Sequence, residues 1–394
     1  MARKIAIIGA ARTPIGKFLG AFSDHSAVAL GTDVSRGVLE RCGIGEGGVD
    51  EVYFGHARQA GSGPNPARQV SIGAGLGDAT PAFTINAACG SGLKSIALGA
   101  DAIRNGEAHT VLTGGMESMT RVPFMLDRFR TGYRLGHGKV LDGMFKDGLF
   151  CPLAEMIMGE TVELLAREYD VSREEQDTWA LMTQQRAEAA IKDGRIAEEI
   201  IPVTVTGRRR EQIVVEADEH PRAGLTMESL AKLPPVFDKD GTITAGNASG
   251  ITDAAAAVVL ASDDRVKELG AEPLGYVRDF TVAGVDPKRM GIGPVPATRK
   301  LLERNRLEIG DLEVVELNEA FAAQVIACER ELGFDRERVN RVGGSISVGH
   351  PIGCTGTRIV VTLLGEMRRS GATLGLATLC VSGGLGMSML IERS

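Results

Sequence analysis

Residues 89–106, CGSGLKSIALGADAIRNG, and residues 350–371, HPIGCTGTRIVVTLLGEMRRSG, decide the fold. Each is a reactive side chain, a glycine-bearing turn and an amphipathic run that stops at glycine. In the first, Leu93, Ile96, Ala97, Ala100 and Ile103 share one helical face. A short strand, HTVLT, and Gly114–Gly115 follow it. The second runs into the strand LGLATLC and then Gly383–Gly384. Glycine at 106 and 371 is the expected helix stop. The echo predicts one supersecondary unit used twice. A pseudo-symmetric pair of α/β domains would bring the ends of equivalent elements face to face.

Working outward, KIAIIGAA (4–11) predicts a buried strand, residues 24–43 an amphipathic helix, and DEVYFGHA (50–57) the next strand. From about Arg121 to Gly250 the texture changes to a turn-rich apolar stretch, RVPFMLDRFRTGYRLGHGKV, two helical runs (156–169 and 172–194) and charged segments. Ser172 and Glu175 form a capping-box pair at the start of the second run. This reads as an inserted lid or loop region. The strand DAAAAVVLAS (253–262) then rejoins the first domain.

The chain has 394 residues, 43% hydrophobic and 24% charged, enough for two to three domains with large cores. A net charge of −7 argues against nucleic-acid binding. No apolar run reaches the ~18 residues of a membrane span. The opening MARKIAIIGAARTP is too short and too soon interrupted for a signal peptide, so the expected compartment is the cytoplasm. Six dispersed cysteines without CxxC spacing argue for reduced thiols rather than disulfides or a zinc site. Arg208, Arg209 and Arg210, with Arg222 and Lys232, are the candidates for an anion patch, and the triple-arginine run reads as solvated surface. GAARTPIG lacks the GxGxxG fingerprint, which excludes a dinucleotide site there.

Cys89, in NAACGSG, precedes a glycine-rich turn that opens a helix, and the field at that terminus would favour its thiolate. The alternative is an inert buried thiol. His350 sits between Gly349 and Pro351, a surround that fixes the ring for proton transfer or holds a structural histidine. Cys380, in CVSGGLG, offers a second thiol for moving a proton on and off carbon. Asn318 and Glu319 follow the strand LEVVEL, where α/β proteins place ligands, although a helix start capped by asparagine reads equally well. His25, His56, His109, His137 and His220 show no metal-ligand spacing and read as ordinary.

Along essentially its full length the chain resembles the thiolases, acyl-CoA C-acyltransferases, most closely the tetrameric acetoacetyl-forming kind. NAACGSGL, NRVGGSISVGHPIGCTG, NEAFA, GGMESM, AGNASG and the C-terminal CxxGGxG carry the resemblance. It implies a five-layered αβαβα fold of two duplicated domains, 1–120 plus 251–271 and 272–394, around an inserted loop domain at 121–250 for CoA binding and oligomerisation. It also implies the roles. Cys89 would be acylated with His350 taking its proton, and Cys380 would exchange the α-proton of the second acyl-CoA. One oxyanion hole would use His350 and a water held by Asn318, the other the N–H groups of Cys89 and Ser382. Arg222 and Ser229 align with CoA nucleotide contacts. Met158, Phe237, Ser249, Met290, Ala320 and Phe321 align with the pantetheine and acyl tunnel.

The implied activity is 2 acetyl-CoA ⇌ acetoacetyl-CoA + CoA, with CoA thioesters as substrates, no metal or further cofactor, and a homotetrameric assembly. The alternatives are a degradative 3-ketoacyl-CoA enzyme of broader chain length, a carrier-protein ketosynthase, and an inactive lipid-binding relative. Two departures stand out. Ser382 replaces a glycine or alanine, which would strain any backbone angle that favours glycine. Ile157 stands where acetoacetyl-forming relatives carry histidine.

Overall fold

The computed structural model describes residues 3–207 and 209–393, so Arg208 of the triple-arginine run lies outside the described residues. Arg209 and Arg210 are exposed, as expected of a solvated face.

The apolar runs between glycine turns become strands. Ile5–Arg12 (β1), Glu51–His56 (β2), Ala82–Ile85 (β3), Thr110–Ser118 (β4) and Thr252–Ser262 (β5) lie in the order β3-β2-β4-β5-β1. Gly275–Gly284 (β6), Val314–Leu317 (β7), Leu374–Val381 (β8) and Leu385–Glu392 (β9) lie in the order β7-β8-β9-β6, and Val339 adds a parallel bridge to Val315 in β7. Counted within each half, both orders are third, second, fourth, fifth, first. The pairing repeats too: parallel around β2 and β7, antiparallel from β4 to β1 and from β8 to β6. The sequence echo is a duplicated fold. The halves join where β1 pairs with β6, Ala6 with Tyr276 and Ile7 with Gly275.

Alternation along β5 shows how the layers stack. Ala254, Ala256, Val258 and Leu260 face a core built with Ser91–Asn105 (α3) and Ile352–Ser370 (α8). Ala255, Ala257, Val259 and Ala261 face an outer core closed by Ala27–Arg41 (α1) and Pro66–Gly73 (α2). On the far side, β8 presents Ala377, Leu379 and Val381 to the middle core. Its Leu376 and Cys380 face an outer core with Pro294–Asn305 (α6) and Ala322–Leu332 (α7). The result is five layers, αβαβα, with α3 and α8 in the middle.

The described residues between β4 and β5 add no strand to the large sheet, only a parallel bridge from Ile200 to Arg12 at the end of β1. They form a hairpin, Phe124–Leu126 with Val140–Asp142, and the helices Met158–Glu168 (α4) and Arg173–Lys192 (α5). The Ser172–Glu175 capping box forms as its spacing predicts. Trp179 and Thr183 of α5 donate to the buried Glu319 carboxylate at 3.1 and 3.0 Å, which ties the inserted segment to the end of β7.

The middle layer depends on two glycines that let α3 and α8 meet backbone to backbone. A Cβ on Gly356 would run into the backbone nitrogen of Leu93, and one on Gly92 would lie 2.8 Å from the backbone nitrogen of Thr357. Backbone cannot swing aside as a side chain can. Gly356→Ala is therefore expected to destabilise the protein by about 1–3 kcal/mol, the range for inserting a methyl group into a packed core. Urea unfolding measures this, and an unchanged midpoint would show that the helices have slack.

Candidate active site

Cys89 stands in the turn between β3 and α3, and local hydrogen bonds hold it there. Ala88 adopts a left-handed conformation, φ 47°, which a non-glycine residue keeps only when its surroundings impose it. Asn86 Oδ1 accepts from Ala88 N at 3.0 Å, and Asn86 Nδ2 donates to Ala57 O at 3.1 Å. Ser91 Oγ donates to Ala88 O and accepts from Ala87 N. Gly90 starts α3 without a side-chain cap. The backbone N–H groups of Ser382 and of Cys89 itself are directed at the Cys89 sulfur. Ser382 keeps a negative φ, because the left-handed part of the turn between β8 and β9 falls on Gly383 and Gly384. The serine departure therefore carries no backbone strain.

His350 immediately precedes Pro351, the cap of α8, and is buried. Its Nδ1 lies 2.7 Å from Thr355 Oγ1, and that hydroxyl donates to Pro351 O at 3.0 Å. A hydroxyl has one proton, so Nδ1 carries the ring hydrogen and donates to Thr355. Nε2 is left as a proton acceptor. Cys380 lies at the end of β8, also buried.

These residues line one cavity of about 380 Å³. Cys89, His350, Cys380 and Ser382 form one part of its wall, and Met158, Phe237, Ser249, Met290, Ala320 and Phe321 form another. Phe237 and Phe321 meet edge to face at 6.0 Å. Ile157, with Phe145, Leu149 and Ile352, continues the apolar lining. Ten of the thirteen residues singled out from sequence thus converge. Arg222 and Ser229 do not line the cavity. They are exposed, with Arg222 Nη1 3.5 Å from the carbonyl of Ala245, a wall residue, and Ser229 bonded to Thr226 as part of a local cap.

Asn318 sits behind the wall, fully buried, and is not a helix cap. The helix after it starts at Ala322 with Phe321 in the capping position. Asn318 Oδ1 accepts from Ser345 Oγ at 2.6 Å, and its Nδ2 has no protein partner among the described residues.

The electrostatics differ from the sequence expectation in one respect. Burial pushes the Cys89 thiol above its ordinary 9.0. The Arg58 charge and the N–H groups of Ser382 and Cys89 offset this only in part, and Glu117 adds to the rise. The helix-terminal field is present, but desolvation outweighs it. Burial, and then the neighbouring Cys89 and Cys328, push Cys380 well above the usual thiol range. Burial, with Arg358 and Arg58, pushes His350 down to about 3. The resting site therefore holds two thiols and a neutral imidazole with a free Nε2. Such a set can transfer a proton from sulfur to nitrogen as a carbon–sulfur bond forms, with an N–H pair to receive a negative oxygen.

Residues 5–264 match the model for the thiolase N-terminal domain and residues 271–393 that for the thiolase C-terminal domain. The chain belongs to the thiolase family. It is 49% identical over 389 residues to an acetyl-CoA acetyltransferase of Pseudomonas aeruginosa, covering 99% of both chains. It is 48% identical over 392 residues to the one of Escherichia coli, again covering 99% of both. Among solved structures, this thiolase superposes on the Bacillus anthracis acetyl-CoA acetyltransferase with a TM-score of 0.97 at 44% identity, covering 99% of each chain. It superposes on human mitochondrial 3-ketoacyl-CoA thiolase with a TM-score of 0.96 at 39% identity, covering 100% of this chain and 99% of that one.

Arg58 is the residue that motif reading passed over. Its guanidinium is buried and donates to the carbonyls of Gly148 at 2.9 Å and Ala57 at 3.5 Å, and its Nε has no partner among the described residues. Nothing in HARQAG announces a buried cation beside Cys89.

Because the thiol is raised and the imidazole neutral, the free enzyme holds no thiolate–imidazolium pair. Alkylation of Cys89 by iodoacetamide should accelerate with pH up to and beyond 9, the ordinary thiol value that burial exceeds here. A rate plateau between about pH 5 and 8, as low-pKa catalytic cysteines give, would contradict this assignment.

Proposed function

We propose that this thiolase is an acetyl-CoA C-acetyltransferase, catalysing 2 acetyl-CoA ⇌ acetoacetyl-CoA + CoA by a ping-pong route. The observation that carries the reading is the pair of thiols, Cys89 and Cys380, with the neutral His350 on the wall of one apolar cavity. In the first half-reaction Cys89 Sγ attacks the thioester carbonyl as its proton passes to His350 Nε2. The oxygen gains negative charge against the N–H groups of Cys89 and Ser382. Collapse breaks the bond to CoA, and the imidazolium returns the proton to the departing sulfur. The products are acetyl-Cys89 and CoA.

In the second half-reaction Cys380 passes its proton to His350 Nε2 and, as the thiolate, removes a proton from the α-carbon of a second acetyl-CoA. A thiol with a raised pKa gives a more basic thiolate, suited to a weak carbon acid. Acylation of Cys89 also leaves Cys380 the only one of the two thiols that can ionise, so the neighbouring sulfur no longer competes with it. The enolate oxygen is received by the Nε2–H of the protonated His350 and a water on Asn318. Its carbon attacks the acetyl carbonyl, the bond to Cys89 Sγ breaks to release acetoacetyl-CoA, and the departing Cys89 sulfur takes the proton back from His350. Arg222, beside the wall residue Ala245, and Ser229 are the contacts this reading assigns to the nucleotide end of CoA. The reading calls for no metal or other cofactor beyond the CoA thioesters themselves.

Incubation with acetyl-CoA should place an acetyl group on the Cys89 peptide, measured by mass spectrometry, and Cys380→Ser should retain that label while condensation falls by about 10² or more. Equal loss of both half-reactions would count against this division of labour.

The same reading places the enzyme in the cytoplasm, in fatty acid metabolism. Six free cysteines, two of them needed as thiols, suit a reducing compartment. It also makes the protein a homotetramer assembled through the hairpin region. Phe124 and Phe129 are each 68% exposed there and Leu135 98% exposed, apolar side chains that assembly would cover. Light scattering at micromolar concentration should give four chains. A dimer would reassign the hairpin to a lid, and a monomer would refute assembly.

A further inference from the structure

The Asn318 amide has a donor end and an acceptor end, and only one orientation suits stabilisation of an oxyanion. Its surroundings choose between them. Arg358 Nη2 lies 2.7 Å from Ser345 Oγ, and a guanidinium can only donate. Ser345 therefore accepts from Arg358, and its single proton goes to its other neighbour, Asn318 Oδ1, at 2.6 Å. The acceptor end of the amide is thereby occupied. Nδ2, buried and without a protein partner among the described residues, remains as a donor. With the amide reversed, Ser345 would face two donors and its own proton would have no acceptor. A buried acceptor would also stand where the donor is needed.

The polarity of this chain is anchored at its far end. Arg358 Nη1 lies 3.6 Å from Glu316 Oε2, with the two side chains 2% and 1% exposed. Glu316 is two residues before Asn318, so both project from the same side of the chain as it leaves β7. The path from Glu316 through Arg358 and Ser345 returns to Asn318.

We propose that Ser345 is a positioning residue, which fixes the Asn318 amide with its N–H groups toward the acyl-CoA cavity in an orientation dictated by Arg358. This rests on the proposed role of Asn318 in holding the water of the enolate site. Ala320 and Phe321, the next wall residues after Asn318, place that amide next to the cavity.

A double-mutant cycle on the condensation rate tests it, because a residue that acts through another loses its effect when the other is removed. Asn318→Ala should lower kcat by about 10², as loss of an oxyanion donor does. Ser345→Ala should lower kcat by about 10-fold through a misplaced amide, with KM for acetyl-CoA within about two-fold of wild type. In the Asn318→Ala background it should lower kcat no further. Equal losses in both backgrounds, or no loss in wild type, would overturn the proposal. A wild-type rate in Asn318→Ala would remove Asn318 from the mechanism instead, which is a separable result. If Ser345→Ala does not fold, Ser345→Cys keeps a side chain of similar shape with a weaker donor. The same pattern, a loss in wild type only, is then expected of it.

Discussion

The backbone contact between α3 and α8 is the constraint on which the site depends. Cys89 lies just before α3 and His350 just before α8, at equivalent places in the two copies of the fold. Gly92 and Gly356 let the first turns of those helices approach closely, and this brings both residues onto one cavity wall. The duplicated strand order sets the directions in which the two helices run. The glycine contact sets how near their ends come.

The helix ends supply N–H groups and a favourable field, yet the same close packing removes water from the thiol. Burial then exceeds the stabilisation that Arg58 and the N–H groups give the Cys89 anion. A site of this kind holds its charge in reserve. The sulfur is neutral until the proton acceptor and the polarised carbonyl are both in place, so ionisation coincides with bond formation. The neutral His350, with its hydrogen pinned on Nδ1 by Thr355, is the matching half of that arrangement.

Much of this was legible in the sequence because it is periodic or local. The repeated turn, helix and strand gave away the duplication, Ser172 and Glu175 marked a helix start, and Cys89, His350 and Cys380 stood in glycine-rich turns. What was hidden depends on three-dimensional surroundings. Residue types show a helix terminus near Cys89 but not how much water is excluded there, so the thiolate expectation failed. Asn318 before an apolar run looks like a cap, yet the helix starts only at Ala322 and the Asn318 amide bonds to Ser345 instead. Arg58 looks like any surface arginine because nothing adjacent in the chain tells of its burial. Whether Ser382 is strained depends on which residue of CVSGGLG takes the left-handed angle, which the turn decides, and it falls on Gly383 and Gly384.

The middle layer also bears on what became of the two ancestral halves. Each lends it a single helix, and the core there takes side chains from strands of both, Val258 and Leu260 from one and Leu379 and Met389 from the other. A severed half would keep its outer helices but expose the inner face of its sheet and one side of its only inner helix. That is a continuous apolar surface with nothing but the other copy shaped to cover it. The duplication has thus passed beyond two domains in tandem to a single cooperative unit, in which neither copy is a self-sufficient protein.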